Sequence, residues 1–239
     1  MALCRLYLRP GPVVKECPVV EGIIFDMDGL LIDSEPLWQE AEIKIFKEIN
    51  IRLSVEDCRQ TMGLRLDEVV KFWFGRKPWD ISKIPLFEIE RKIIENVKDL
   101  ISRKGVLLPG VNYILEFFKN RKMPVSLASS SSRLLIETVI EKFDLSLFQV
   151  IRSGEDEESG KPDPSIFLST AEQMHISPLN CLVFEDSYNG VKAAKSAGMK
   201  CVLVPNRDTS PLARNIADMQ LSSLQMFSDA LLNELNCDQ

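Results

Sequence analysis

Short apolar runs alternate with longer amphipathic segments through most of the chain. An apolar run of about four to eight residues predicts a buried strand, whereas apolar residues three and four positions apart predict a helix. Strands are predicted at 19–25, 124–128, 148–151, 181–184 and 200–204. Helices are predicted at 35–50, 55–61, 66–74, 85–103, 111–120, 133–142, 164–175, 191–197 and 224–235. This alternation is typical of an α/β fold with a doubly wound parallel sheet.

The segment 36–104 interrupts the alternation, because its pattern predicts helices and no strand between the first two strands. We therefore expect a helical cap domain at 36–104, inserted into a core domain made of 19–35 and 105–239. Residues 1–18 contain three prolines, and their apolar stretch is too short and too interrupted for a signal peptide, so we expect them to be a disordered leader.

Composition and charge exclude several classes of function. The 239 residues are 45% apolar, which is enough for a sizeable core, and the net charge of −6 offers no surface for nucleic acid or anionic lipid. No apolar run approaches the ~20 residues that a membrane span requires. The six cysteines are scattered and there is one histidine, so neither a disulfide framework nor a zinc site is indicated. A cytoplasmic monomer without nucleic-acid or membrane partners is expected.

Two carboxylates, Asp26 and Asp28, follow the first predicted strand and are followed in turn by Gly29. In an open α/β sheet, ligands bind beyond the carboxyl ends of the strands. Two anions this close are costly unless a cation or a shared proton offsets them, and Mg²⁺ prefers such oxygen ligands. A turn capped by acidic residues is the simpler alternative, since Asp-Gly is a common turn pair.

Three further strand ends carry polar residues. The second predicted strand ends in four serines from Ser129, the third leads to Lys161 between Gly160 and Pro162, and the fourth ends in Glu185 and Asp186. Alone, the serines are also explained by a helix cap, and the lysine by a solvated surface position. Together they suit a metal-neutralised phosphoryl group attacked by a carboxylate.

Each residue then has a predicted role. Asp26 is the nucleophile that forms an aspartyl-phosphate, and Asp28 protonates the leaving alkoxide and later deprotonates the attacking water. Lys161 and Ser129 hold the oxygens that are not transferred. Asp186 shares Mg²⁺ with Asp26 and with the main-chain carbonyl of Asp28.

The motifs from Phe25 to Gly29, at Ser129, at Gly160–Pro162 and at 185–187 with Gly190 resemble those of the haloacid dehalogenase-like hydrolase superfamily over 20–205. The helical insert resembles the mobile cap of the branch that contains β-phosphoglucomutase and small sugar-phosphate phosphatases. Within that branch, 25–38, 63–65 and 78–79 resemble the 2-deoxyglucose-6-phosphatase and hexitol phosphatase families.

The resemblance implies a Rossmann-like core, Mg²⁺ and a small phosphorylated metabolite such as a hexose or hexitol phosphate. It implies phosphate contacts from Ser129, Ser130 and Lys161. Its metal site consists of Asp26, Asp28, Asp186 and Glu185, with Glu185 placed further from the ion. Carbon–halogen cleavage is disfavoured, because dehalogenases of this superfamily lack the acid that Asp28 supplies.

Three functions stay open at this point. The leading one is a Mg²⁺-dependent phosphatase for small phosphorylated sugars or polyols, and the alternatives are a phosphosugar mutase and a non-catalytic binding protein on the same fold. Selectivity is assigned to the cap, where Arg65 is predicted to face the substrate unless it is a solvated arginine at a helix start. Trp38, Trp73 and Trp79 either stack on a sugar ring or form the cap core.

Overall fold

The protein is described by a computed structural model that covers residues 19–207 and 209–237. The predicted leader at 1–18 lies outside the described residues. The strands are β1 (Gly22–Phe25), β2 (Val125–Ser129), β3 (Ile151–Ser153), β4 (Cys181–Glu185), β5 (Lys200–Leu203) and β6 (Met219–Gln220). The helices are α1 (Glu35–Glu48), α2 (Val55–Arg59), α3 (Leu66–Arg76), α4 (Leu86–Lys104), α5 (Val111–Asn120), α6 (Arg133–Phe143), α7 (Ser165–Met174), α8 (Tyr188–Ser196) and α9 (Asp229–Cys237).

The six strands form one parallel sheet in the order β3-β2-β1-β4-β5-β6. Strand β1 lies at its centre, with Phe25 opposite Leu127 on one side and Phe184 on the other. All residues of β1, β2 and β4 are buried, as expected for a parallel sheet covered by helices on both faces. The predicted doubly wound α/β fold is confirmed.

The third strand was predicted three residues too early, because Phe148 is a core residue without a place in the ladder. The pairing of β2 with β3 begins where Leu127 lies opposite Ile151. Strand β6 was not predicted, since a two-residue strand carries no periodic signal. The helix predicted at 66–74 is two residues longer, since α3 continues to Arg76.

The predicted C-terminal helix at 224–235 is two elements. A short 3₁₀ turn covers Leu224–Met226 and α9 begins at Asp229, with Phe227 in an extended conformation between them. The Phe227 ring packs against Phe117, Phe118 and Phe184 in the core, and its carbonyl accepts a 2.7 Å hydrogen bond from Tyr113. Tertiary packing therefore overrides the helical pattern here.

Helices α1 to α4 lie between β1 and β2 in sequence and form a helical block. Its core includes Ile45 of α1, Trp73 of α3 and the apolar stripe Ile89, Ile93 and Val97 of α4. The division into a cap at 36–104 and a core at 19–35 and 105–239 stays a prediction. Among the described residues, no helix combines the length and apolar character needed to cross a bilayer.

The two chain segments that enter and leave the helical block run beside each other. The Asp33 N–H donates to the Val106 carbonyl at 3.1 Å, and the Leu108 N–H donates to the Leu31 carbonyl at 2.9 Å. These bonds hold the two connecting segments together between Asp28 and the start of α1. They also hold the helical block over the carboxyl ends of the strands.

Candidate active site

A cavity of about 430 Å³ lies between the helical block and the carboxyl ends of the strands. All eight residues that were predicted for the site line it: Asp26, Asp28, Arg65, Ser129, Ser130, Lys161, Glu185 and Asp186. The parallel sheet explains this convergence, because the carboxyl ends of its neighbouring strands meet at one edge. The roles of these residues stay predictions.

Lys161 is the buried centre of the site. Its ammonium donates to Asp26 Oδ1 and to Glu185 Oε1, each at 2.7 Å, and to the Ala128 carbonyl at 3.2 Å. The alternative of a solvated lysine is wrong, since the residue is only 3% exposed. One cation thus joins carboxylates from β1 and β4, the two central strands.

Glu185 is held on both of its carboxylate oxygens. Oε1 accepts from Lys161, while Oε2 accepts from the Asp186 and Ser187 N–H groups and from the Ser187 hydroxyl, each at 3.0 Å. Gly190 makes this arrangement possible, because a Cβ there would overlap the Glu185 carboxylate. Glu185 is therefore oriented as a partner of Lys161 and of the turn that carries Asp186.

Asp186 receives two contacts from a segment outside the recognised motifs. Asn206 donates through Nδ2 to Asp186 Oδ2 at 2.7 Å, and the Thr209 hydroxyl donates to the Asp186 carbonyl at 2.7 Å. Gly29 lies against the same carboxylate with a φ of +75°, a conformation that favours glycine. Neither Asn206 nor Thr209 was predicted as a site residue, because both lie in a segment without periodicity or a motif.

Three buried carboxyl groups form a cluster that fits a cation. Oxygens of Asp26, Glu185 and Asp186 lie within 4.8 Å of one another. Burial raises the pKa of Asp26 to about 8 against the opposing attraction of Lys161, and the negative charges of Glu185 and Asp28 add to the rise. Burial, Glu185 and Asp26 also raise the pKa of Asp186 well above its usual range. A hard divalent cation would offset this excess of negative charge, and the oxygen donor set suits Mg²⁺.

Asp28 is surrounded by hydrogen-bond donors. Its Oδ1 accepts from the Ser34 hydroxyl at 2.6 Å and from Trp38 Nε1 at 3.2 Å. Its Oδ2 accepts from the Ser131 hydroxyl at 2.7 Å and from Ser129 at 3.2 Å. The contacts from Ser34 and Ser131 were not predicted. The sequence does contain signals for them, which are the serine run that begins at Ser129 and the position of Ser34 directly before α1.

Ser129 and Arg65 also make contacts within the protein, and the phosphate contacts of Ser129 and Ser130 stay predictions. The Ser129 hydroxyl accepts the Ser131 N–H at 3.1 Å in addition to donating to Asp28. Arg65 forms a 2.5 Å ion pair with Asp67 and donates to the Glu157 carbonyl at 2.8 Å. Its guanidinium thus joins the helical block to the loop after β3, and substrate binding by Arg65 stays a prediction.

Three of the four residues in the acidic run at 155–158 are exposed, but the run is held by specific contacts. Glu155 accepts the Arg133 N–H at the start of α6 at 3.0 Å. Glu157 pairs with Arg152 at 2.5 Å, and its side chain is only 9% exposed. The loop is therefore held in place at the cavity, which Glu155 and Glu157 help to line, and Arg65 joins it to the helical block.

Known proteins resemble the chain in sequence and in fold. A model of the haloacid dehalogenase-like hydrolase family matches residues 23–204. Hexitol phosphatase B of Escherichia coli (strain K12) is 38% identical over 208 residues, which are 84% of this chain and 91% of that protein. Its name agrees with the predicted class of phosphoric monoester hydrolase.

Two solved structures share the architecture. CbbY from Rhodobacter sphaeroides, in complex with phosphate, has a TM-score of 0.83 at 25% identity and covers 90% of this chain and 100% of its own. β-Phosphoglucomutase from Clostridium difficile has a TM-score of 0.79 at 24% identity and covers 91% of this chain and 97% of its own, which supports the fold alone. Because the family model and the Escherichia coli relative each span most of the chain, the protein belongs to the haloacid dehalogenase-like hydrolases.

Proposed function

We propose that the protein is a Mg²⁺-dependent phosphatase that hydrolyses small phosphorylated sugars or polyols, such as hexose or hexitol phosphates. The observation that carries the proposal is the contact of Lys161 with Asp26 beside the carboxyl cluster at the sheet edge. The hexitol phosphatase relative supports the substrate class.

In the proposed first step, an Asp26 oxygen attacks phosphorus and the bond from phosphorus to the ester oxygen breaks. Asp28 gives its proton to that ester oxygen, so the product leaves as an alcohol. The serine hydroxyls around Asp28 can rotate to accept instead of donating, and the site therefore tolerates both of its protonation states. In the second step, Asp28 takes a proton from water, the water oxygen attacks phosphorus, and Asp26 and inorganic phosphate are released.

The charged groups around Asp26 prepare it for this chemistry. Lys161 orients the Asp26 carboxylate and places positive charge beside the phosphoryl oxygens. Asp26 and Asp186 would hold Mg²⁺, and Glu185 would position Lys161 and the Asp186 turn. When bound, Mg²⁺ supplies Lewis-acid charge neutralisation of the phosphoryl group.

The charge of the cavity favours a phosphatase over a phosphosugar mutase. A mutase that passes its phosphoryl group to a second phosphorylated sugar must accommodate two phosphates. In the described part of the chain, the cationic side chains that line the cavity are Arg65 and Lys161, and both are paired with carboxylates. Carboxyl groups outside the predicted site outnumber these cations in the lining and disfavour a second phosphate: Glu35, Asp67, Glu90, Glu155 and Glu157.

The test is phosphate release from a panel of sugar, polyol and aryl phosphates with Mg²⁺ present. The wild-type protein should release phosphate, and Asp26→Asn should lose essentially all turnover. Asp33→Asn is the matched control, since Asp33 is exposed and seven residues further along the chain. Release from no ester would overturn the phosphatase proposal, and interconversion of phosphosugar isomers without release would establish the mutase instead.

A further inference from the structure

The mechanism leaves one buried carboxyl group of the cavity unused. Glu42 lies on α1, is 6% exposed and lines the cavity. Within the described part of the chain, its Oε2 atom has no hydrogen-bond partner. A buried polar group that lacks a partner costs about 1–3 kcal/mol, so such a group is rare unless a ligand completes it.

The position of Glu42 is fixed by the geometry of α1. Trp38, one helical turn earlier, donates to Asp28, the proposed general acid, and also lines the cavity. Residues four apart lie on the same helix face, about 6 Å apart along the axis. Glu42 therefore lies about one turn beyond the point where the leaving group would meet Asp28. That distance corresponds to the far end of a small phosphorylated metabolite.

The surroundings of Glu42 favour a neutral ligand group. The Cys58 thiol is the polar neighbour that acts on its carboxyl, and the apolar side chains of Val69 and Ile94 line the same cavity. Among the described residues, no lysine or arginine influences the pKa of Glu42, which burial and, to a smaller extent, Glu35 raise to about 8. A neutral carboxyl group both donates and accepts, as a hydroxyl group does.

We propose that Glu42 is a specificity-determining residue that hydrogen-bonds a hydroxyl group of the leaving alcohol, remote from the phosphate. The inference rests on the proposed function and narrows its substrate class to polyhydroxylated phosphate esters. A simple alkyl or aryl phosphate would leave the Glu42 carboxyl without its partner. The enzyme would then discriminate against such a substrate, because the buried Glu42 carboxyl would remain without a hydrogen bond.

The experiment compares kcat/KM for a hexitol 6-phosphate with that for n-hexyl phosphate, which has the same chain length and no hydroxyl groups. Glu42→Leu should lower kcat/KM about tenfold on the hexitol phosphate, the scale of one buried hydrogen bond, and leave n-hexyl phosphate unchanged or improved. Glu42→Gln keeps a neutral donor and acceptor, and its kcat/KM on the hexitol phosphate should fall by less than about threefold. Glu40→Gln, on an exposed position of the same helix, is the control.

The outcomes separate the two proposals. Equal losses on both substrates, or no loss on either, would overturn the role of Glu42 while leaving the phosphatase intact. A loss in Glu42→Gln as large as in Glu42→Leu would show that a charged carboxylate is required and would overturn the hydroxyl assignment. If the wild-type protein hydrolyses neither ester nor any other in the panel, the phosphatase proposal itself fails.

Discussion

The Lys161 ammonium lies 2.7 Å from Asp26 Oδ1, and both side chains are buried. Removal of the cation would leave Asp26 and Glu185 as buried carboxyl groups without their shared partner. We expect Lys161→Met to lower the free energy of unfolding by about 3–5 kcal/mol, the cost of breaking a buried ion pair. Urea denaturation of the metal-free protein, followed by circular dichroism, measures this change.

Lys195→Met is the matched control for this prediction. Lys195 pairs with Asp218 at 2.6 Å, but about a third of each side chain is exposed, so water screens the interaction. We expect a change below about 1 kcal/mol. If the two variants lost the same stability, Lys161 would not be the group that holds the site together.

The sequence was sufficient to predict which residues meet at the sheet edge. Asp26, Lys161 and Asp186 follow strands or strand connections, and a parallel sheet brings such positions together whatever their separation in the chain. The buried lysine could not be predicted in this way. Its burial depends on the carboxylates of β1 and β4 that compensate its charge, and a local pattern around Lys161 contains neither of them.

Contacts made by loops and short edge strands were the part that could not be predicted. Asn206 and Thr209 reach Asp186 from a segment without periodicity, and their neighbourhood is set by the position of β5 in the sheet. Strand β6 is too short for a pattern. Phe227 fits a helical stripe, but its place among the core phenylalanines requires extended backbone.

Glu42 should make the stability of the protein depend on pH. Burial, with a smaller contribution from Glu35, raises its pKa from 4.5 to about 8, so between these values the folded protein retains a proton that the unfolded chain has lost. Stability from this group is complete below pH 4.5 and decreases as the pH approaches 8. The slope is at most about −1.4 kcal/mol per pH unit. Urea denaturation of wild type and Glu42→Gln from pH 5 to 8 measures it by difference, since the raised pKa of Asp26 contributes a slope of the same sign to both proteins.

In Glu42→Gln this contribution disappears, because the side chain no longer titrates. The variant should therefore gain stability relative to wild type as the pH rises from 5 to 8. Glu40→Gln should follow the wild-type curve, since Glu40 is exposed and pairs with Lys104 at the surface. If the free energy of unfolding depended on pH in the same way in wild type and Glu42→Gln, the raised pKa of Glu42 would be contradicted.

Arg65 should hold the helical block against the loop after β3. Its guanidinium donates to the main-chain carbonyls of Gly154 and Glu157 and is fixed by Asp67. We expect Arg65→Met to speed amide hydrogen exchange at 154–158 by about tenfold in the protein without substrate, since about one net hydrogen bond is lost. Hydrogen-exchange mass spectrometry measures the change.

Arg76→Met tests whether the effect belongs to Arg65. Arg76 lies on the same helix but donates to Gln60 within the helical block, so exchange at 154–158 should match that of wild type. Unchanged exchange in Arg65→Met, together with a lower kcat/KM, would assign Arg65 to the substrate instead. That result would support the role predicted from the sequence.

Gly190→Ala should damage the site through Glu185. Glycine costs about 1 kcal/mol relative to alanine inside a helix, so helix propensity alone favours the substitution in α8. A Cβ at position 190, however, would overlap the Glu185 carboxylate, which holds Lys161 and the Asp186 turn. We therefore expect a net loss of about 1–3 kcal/mol of stability and at least a tenfold loss of kcat/KM.

Gly75→Ala is the matched control, because Gly75 lies inside α3 and a Cβ there meets nothing within 4 Å. It should stabilise the protein by up to about 1 kcal/mol and leave kcat/KM unchanged. Both are measured by urea denaturation and phosphate release, and stabilisation in Gly190→Ala as in Gly75→Ala would mean that Glu185 can move without cost.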